Sequence, residues 1–343
     1  MSLKTLAEHL GLSEATVSRA LNGYPDIARK TQDRVRKAAG ELGYSPNTQA
    51  RRLATGSAEC IGFILPTQIG TMSEPFLGEL LTGLSDVVGA RNWDLSVAVA
   101  RSPEEELAGL ERLCRTERVN GVVLSRTRVD DPRVEMLERL GFPFVTHGRT
   151  GGENRHAWFD IDNAAAFETA VRHLVDLGHV RIAHLHGPLD LNFATERLLG
   201  YRTGLANAGL SVEPALEFPT ELSASGGFQA ARAALSMDPR PTALLCVSDM
   251  VAIGALRAIR ETGLRVGEDV SVIGYDGLPI GAEIDPALTT LAQPLKDSGR
   301  RLGEMLLAVI EGQDPGTLQE MRPASLLRRN TDGPPNGAAR PTT

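Results

Sequence analysis

The sequence predicts an α/β protein in two parts: a small three-helix head, then a body of two doubly wound parallel-sheet lobes. Three observations carry this. From Cys60 onward, apolar runs of strand length alternate with stripes of helical period. Alternation of that kind builds parallel sheets with helices on both faces, and here it comes in two series. Before Cys60 the pattern is short and purely helical. Charge divides at the same place: residues 1–57 hold nine Lys/Arg against five Asp/Glu, and the remainder holds 27 against 38, within a formal net charge of -7. A basic head on an acidic body fits a phosphate-binding module joined to a part that does not touch nucleic acid.

In the head, Leu3, Leu6 and Leu10 share one helical face. Gly11 can take the left-handed conformation that ends the first helix. Ser13 stands as the N-cap of a second helix. Val17 and Leu21 form that helix's inner face, while Glu14, Ala15, Ser18 and Arg19 fall on others. A helix of about two turns cannot bury a core alone. A second helix with an exposed polar N-terminus suits the major groove, where base edges are read. An ordinary helical hairpin has the same pattern; the charge division, a third helix and the segment around Leu53 favour the DNA reading.

Asn22–Asp26 is a turn by composition. Thr31–Leu42 is the third helix, with Val35, Ala38, Ala39 and Leu42 inward and Gly43 past its end. Arg29, Lys30 and Arg34 can reach backbone phosphates. After Ser45-Pro46-Asn47, Thr48–Ala54 is a candidate hinge helix, too short and polar to be stable alone. Leu53 beside Arg51 and Arg52 fits a wedge in the minor groove with arginines on phosphate. A plain linker is the other reading of the same residues.

The strands of the body are expected at Cys60–Leu65, Leu95–Val99, Gly121–Leu124, Phe144–His147 and Ala157–Ile161, then at Ile182–His186, Leu244–Val247 and Ser271–Tyr275. Apolar stripes between them mark helices, the widest at Phe76, Leu77, Leu80, Leu81, Leu84 and Val88. In such folds ligands bind beyond the carboxyl ends of strands, and a cleft between two lobes collects those ends from both. The tail after Arg329 is rich in Pro, Gly and Thr and reads as disordered. No signal-peptide core or membrane-length apolar stretch is present, and Cys60, Cys114 and Cys246 are widely spaced. These features predict a cytoplasmic protein with reduced thiols, without membrane, metal or cofactor.

No GxxxxGK[ST], HExxH, GxSxG or GxGxxG occurs, so common nucleotide, zinc-protease and hydrolase signatures are absent. His184 and His186 face one side of a strand; a pocket wall or buried hydrogen bonding suits them better than a metal, since no third ligand is evident. Asp276 ends the run Val270–Tyr275, where a carboxylate accepts from vicinal hydroxyls or serves as a loop cap. Arg197 follows Thr195-Glu196 near a helix start and can fork onto a polar ligand or pair at the surface. Asp249 follows Val247-Ser248 at a junction where N-capping is the expected role. His147 ends another strand. Polar groups at several strand ends suit a polyhydroxylated ligand.

These residues resemble the LacI/GalR family of transcriptional regulators over about residues 3–329. The most specific motifs are LKTLAEHLGLSEATVSRALNG, TQDRVRKAAGELGYSPN and ARRLATG; the body is similar through HLVDLGHVRIAHLHGP, PTALLCVSDMVAIGALRAI and DVSVIGYDGLPIGAEIDPALTTL. The resemblance implies a homodimeric helix-turn-helix repressor of double-stranded operator DNA, not an enzyme. It divides the chain into a head (1–44), a hinge (45–57), a body (58–329) similar to periplasmic sugar-binding proteins, and the tail (330–343). Within the body it implies one lobe of about 58–158 plus 292–321 and another of about 159–291 plus 322–329. Glu14 and Ala15 match positions that vary operator choice, and Arg19 a third base-reading position. Ser13, Thr16 and Ser18 match phosphate or structural roles; Asn22, Arg29, Arg51 and the wedge Leu53 complete the DNA-binding set. Phe76, His147, Arg197, Leu222, Ser248, Asp249 and Asp276 match or neighbour effector-contacting positions. The implied effector is a small molecule, a mono- or disaccharide first, with a purine or other metabolite as the alternative. Asn22–Asp26 and ARRLATG look most similar to regulators of α-glucoside or trehalose use.

Overall fold

The computed structural model describes residues 2–21, 23–44, 57–66 and 75–336. The chain divides into two compact units after Ala58. Asn22 and the hinge residues 45–56, with Arg51 and Leu53, lie outside the described residues.

In the first unit, α1 (Leu3–Leu10), α2 (Glu14–Leu21) and α3 (Arg29–Glu41) enclose Leu6, Val17, Ala20 and Val35, each fully buried. Ser2 caps α1 by accepting from Thr5 N, and Gly11 ends it at φ 64, as glycine allows without strain. Helix α3 begins at Arg29, ahead of the expected Thr31. Gln32 explains the earlier start: its amide donates to Tyr24 O at 3.0 Å and Ile27 O at 2.9 Å, tying the turn to the helix.

The second unit holds two six-stranded sheets. The first is built from β1 (Cys60–Pro66), α4 (Pro75–Ala90), β2 (Asp94–Ala100), α5 (Pro103–Arg115), β3 (Gly121–Leu124), α6 (Pro132–Leu140), β4 (Phe144–His147) and β5 (Ala157–Ile161). The chain then crosses over to α7 (Asn163–Asp176), β6 (Ile182–His186), α8 (Asn192–Asn207), β7 (Glu217–Pro219), α9 (Ala224–Leu235), β8 (Ala243–Cys246), α10 (Asp249–Glu261), β9 (Ser271–Asp276), α11 (Ile280–Glu283) and β10 (Thr289–Ala292). It returns through α12 (Leu295–Ile310) and β11 (Gln319–Arg322), and ends in β12 (Ser325–Leu327). Strand orders are β11-β5-β4-β3-β1-β2 and β12-β10-β9-β8-β6-β7. Every pair is parallel except β10 with β12.

The α/β expectation holds, with four further strands: β7, β10, β11 and β12. They are three or four residues long, and three of them are edge strands without the apolar runs that mark buried parallel strands. The lobe boundaries move slightly. Ile161 still pairs with Arg322 in the first sheet, and Ala292 with Asp276 in the second. The three crossovers therefore lie at Asp162, Gln293 and Pro323-Ala324. Helices α4 and α12 pack backbone to backbone: a Cβ on Gly83 would lie 1.8 Å from Lys296 O.

The tail needs a correction, because Asn330–Gly333 is docked on the second lobe. Thr331 is buried, accepts from Thr289 N at 2.9 Å and donates to Val272 O at 2.7 Å. Asp332 meets His173 Nε2 at 2.6 Å, and Gly333 N donates to Ser271 Oγ at 3.0 Å. These are polar attachments, which a search for apolar periodicity does not register. Among the described residues no helix is long and apolar enough to cross a membrane.

Candidate functional site

In the head, Ser13 caps α2: its Oγ accepts from Thr16 N at 3.1 Å and meets Thr16 Oγ1 at 2.8 Å. That leaves Glu14 and Ala15 exposed on the first turn, with Ser18 half-buried a turn later. Arg19 is exposed and tethered. It pairs with Asp26 at 2.6 Å, and its guanidinium lies 5.3 Å from the Tyr24 ring centre. Exposed pairs of this kind add little stability, so the tether orients the side chain more than it holds the fold. Arg29 is exposed at the start of α3. Arg34 is exposed too, and its Nη2 donates to Leu10 O at 2.9 Å, closing the end of α1.

In the body, a cleft of about 710 Å³, open mouth included, lies at the carboxyl ends of both sheets, where doubly wound folds bind ligands. Phe76, His147, Arg197, Leu222, Ser248 and Asp276 all line it. Asp160, Asn163, Phe193 and Gln293 line it too, although the sequence pattern does not single them out.

Arg197 is the most constrained of these. It is buried on α8, donates Nε to Asn163 Oδ1 at 2.8 Å and Nη1 to Val247 O at 2.6 Å. Its guanidinium carbon lies over two aromatic rings, 3.5 Å from the Tyr275 ring centre and 4.6 Å from that of Phe193. A fork held this way presents its remaining N–H groups at a fixed angle.

Asp276 ends β9 with φ 121, a conformation rare outside glycine, and its Oδ1 accepts from Gln293 Nε2 at 2.8 Å. Strain of this kind persists only where surroundings impose it, and Gln293 on the crossover is one such restraint. Asp160 lies inside the first lobe's β5, one residue before its end. Its carboxylate accepts from Arg149 Nε at 2.9 Å and Ile161 N at 2.7 Å. Burial pushes its carboxyl above the ordinary range, with Arg149 opposing.

His147 is half-buried against Phe76, ring centres 5.6 Å apart. Burial, then the Arg197 charge, lowers its pKa to about 4. At neutral pH the ring is uncharged and offers one donor and one acceptor, and its covered Nε2 has no protein partner.

Asp249 does not belong to this set. Ser248 is the N-cap of α10, accepting from Val251 N at 3.3 Å, and Asp249 is the first helical residue, fully buried and not among the residues that line the cleft. Its oxygens accept from Leu278 N at 2.7 Å and Thr290 Oγ1 at 2.6 Å. Burial raises its pKa to about 6. The expected effector contact and the expected capping role both give way to a buried tie between α10 and the segment after β9.

His184 and His186 each donate Nδ1 to a carbonyl, Leu245 O and Gly187 O, at 2.8 Å. Among the described residues no cluster of three His, Cys, Asp or Glu could hold a metal. Chemically, the cleft combines apolar plates (Phe76, Phe193, Leu222) with fixed donors (Arg197, Asn163, Gln293) and carboxylate acceptors (Asp160, Asp276).

Residues 2–47 match the model of bacterial regulatory proteins of the lacI family, and residues 171–331 match the periplasmic binding protein-like domain. The chain is 40% identical to the HTH-type transcriptional regulator AglR of Rhizobium meliloti (strain 1021), covering 97% of this chain and 95% of the relative. It is 33% identical to the HTH-type transcriptional regulator CelR of Thermobifida fusca, covering 91% and 92%. Among solved structures, a transcriptional regulator CelR–cellobiose complex is similar with TM-score 0.74 and 30% identity, covering 96% of this chain and 99% of that one. The lac repressor dimer bound to operator and the anti-inducer ONPF is similar with TM-score 0.85 and 29% identity, covering 97% and 99%. Head and body thus match in order and nearly end to end, and the chain belongs to the lacI family of bacterial regulatory proteins.

Proposed function

We propose that this regulator is a cytoplasmic homodimeric repressor, not an enzyme, and that a small sugar bound in the cleft controls its grip on a palindromic operator. The observation that carries the reading is the Arg197 fork, pinned over Tyr275 in the same cleft as Asp276, Asp160 and the Phe76 and Phe193 plates. A sugar offers an apolar C–H face and a rim of hydroxyls that both donate and accept, which matches plates, fork and carboxylates together. Two relatives support it: the CelR structure is a cellobiose complex, and the lac repressor structure is a dimer on operator.

On DNA, Glu14, Ala15 and Arg19 are the proposed base-reading side chains, with Ser13, Thr16, Ser18, Asn22, Arg29 and Arg51 as phosphate or structural contacts. Leu53 is the proposed wedge at the operator centre. Leu53→Ala should weaken operator binding more than non-operator binding; equal loss on both contradicts the wedge.

The ligand class is tested by thermal shift of the full chain with trehalose, maltose and cellobiose against hypoxanthine, guanine and cytidine. The result expected is that at least one sugar raises Tm, the α-glucosides trehalose and maltose being first choices. A rise with nucleobase or nucleoside alone overturns the sugar reading. Hydrolysis of a bound sugar by the pure protein, lost in Asp276→Ala, overturns the non-enzyme reading.

A further inference from the structure

One rim of the cleft is closed by main chain. Ser125–Asp131, the turn after β3, belongs to the first lobe; Asp190–Asn192, ahead of α8, belongs to the second. Val129 donates its N–H to Asp190 O at 2.9 Å, Asn192 donates to Thr127 O at 2.9 Å, and Arg128 and Leu191 form an antiparallel bridge. The bond from Asn192 also completes a helix. No side chain caps α8 at Leu191, and first-turn amides have no partner within their own helix. Thr127 O, from the opposite lobe, is the partner here. The helix that presents Phe193 and Arg197 is therefore finished by the lobe across the cleft.

Buried ions hold the turn from beneath. Arg133, about 1% exposed, donates Nη2 to Arg126 O at 3.0 Å and pairs with Asp131 at 2.7 Å and Glu106 at 2.5 Å. Asp131 Oδ2 accepts from Arg128 N at 3.0 Å, and Arg128 Nη2 reaches Glu106 at 3.0 Å. Arg126 sits at φ 52, a conformation that costs a non-glycine residue free energy and needs outside restraint. Buried ion clusters seldom add net stability over apolar packing, so their value here lies in fixing one shape of the turn. Arg126 and Thr127 of that turn line the cleft.

We propose that Ser125–Asp131 is a latch: its main chain caps α8 when the lobes meet over a ligand, and Arg133, Asp131 and Glu106 are positioning residues that keep it ready to do so. The inference rests on the reading of the cleft as a ligand site, but the latch itself is testable without any ligand.

The test is amide hydrogen exchange on the full chain. Asn192 is the first residue of α8, where proline is well accommodated. Leu191, at φ -82 and ψ 124, already has the backbone that precedes a proline. Asn192→Pro therefore removes one donor and keeps the helix start; Asn192→Ala keeps the donor and loses the side chain. The Val129 amide should exchange roughly two- to tenfold faster in Asn192→Pro than in Asn192→Ala, the range for one lost hydrogen bond, with Val122 and Val123 of β3 unchanged. Arg133→Lys, which keeps charge and loses the fork, should speed the Val129 and Asn192 amides together and leave β3 alone. Equal Val129 exchange in the two Asn192 variants, or acceleration spread through β3 in Arg133→Lys, overturns the latch. In the wild-type chain, trehalose or maltose should slow both rim amides. If neither of these nor cellobiose does so while the variants behave as described, the latch stands and the sugar reading fails.

Discussion

In the head, the side chains proposed to meet DNA are exposed and steadied by neighbours close in sequence. Arg19 leans on Tyr24 and Asp26, and Ser13 holds Thr16. In the cleft, Arg197 and Asp276, proposed to meet a ligand, are buried and held by residues far away in sequence. Arg197 is fixed by Asn163 and Val247, and Asp276 by Gln293. The difference teaches that the two sites fail differently. A change at a head residue alters what is read and leaves the fold standing. A change at a cleft residue removes a recognition group and a structural tie at once.

The strongest way to sharpen this contrast is Arg197→Met. It strands Asn163 Oδ1 and Val247 O in a buried setting, so urea denaturation should show a loss of about 3–5 kcal/mol, and any sugar-induced rise in Tm should vanish. A stability loss below about 1 kcal/mol would mean that the fork is not structural. Asp249→Ala should cost about 2–3 kcal/mol through unpaired Leu278 N and Thr290 Oγ1. Sugar affinity should stay close to the wild-type value, because Asp249 is not among the residues that line the cleft. A loss of affinity with stability intact would return Asp249 to the binding site.

Arg19→Ala should leave the melting curve of the chain nearly unchanged. It should relax preference at one operator base pair by about 1–3 kcal/mol in a competition assay over single-base variants; uniform weakening across all variants would assign Arg19 to phosphate. The smallest effect concerns pH. Burial holds His147 and His156 down to about 4 and His184 down to about 3, while unfolded histidine titrates near 6.5. Between about pH 6.5 and 4 the unfolded chain therefore binds more protons, so stability rises with pH there and is lost on acidification. Asp249 opposes this: its pKa, raised to about 6, makes its own share fall as pH rises from about 4 to 6. His147→Gln should make the acid limb of a pH–stability curve shallower, by at most about 1.4 kcal/mol per pH unit; an unchanged slope would mean that His147 is not held neutral.

The head is largely legible in the sequence because its structure is local. Gly11, Ser13 and the leucine spacing act within a turn or two of the residues they organise, and α1 and α2 obey them. The turn at Tyr24–Asp26 hides the tether of Arg19 and the early start of α3, since both depend on contacts made around the bend. In the body, His147, Arg197, Ser248 and Asp276 stand out as polar groups where an apolar run ends or a helix begins. Asp160 and Gln293 do not, because one sits inside a strand and the other on a crossover. Asp249 is misplaced because it directly follows the cleft-lining Ser248, whose extended backbone (φ -152, ψ 164) sends neighbouring side chains to opposite sides. The docked tail escapes a reading by apolar pattern because Thr331, Asp332 and Gly333 attach by hydrogen bonds.

In the proposed mechanism, occupancy of the cleft and grip on DNA are linked. The measurement is fluorescence anisotropy of a palindromic duplex, selected by the full chain from a random library and titrated with and without the sugar that raises Tm. The sugar should shift the operator Kd about 5- to 150-fold, a coupling of about 1–3 kcal/mol, and Arg197→Met should abolish the shift. A sugar that raises Tm yet leaves the operator Kd unchanged would contradict this mechanism.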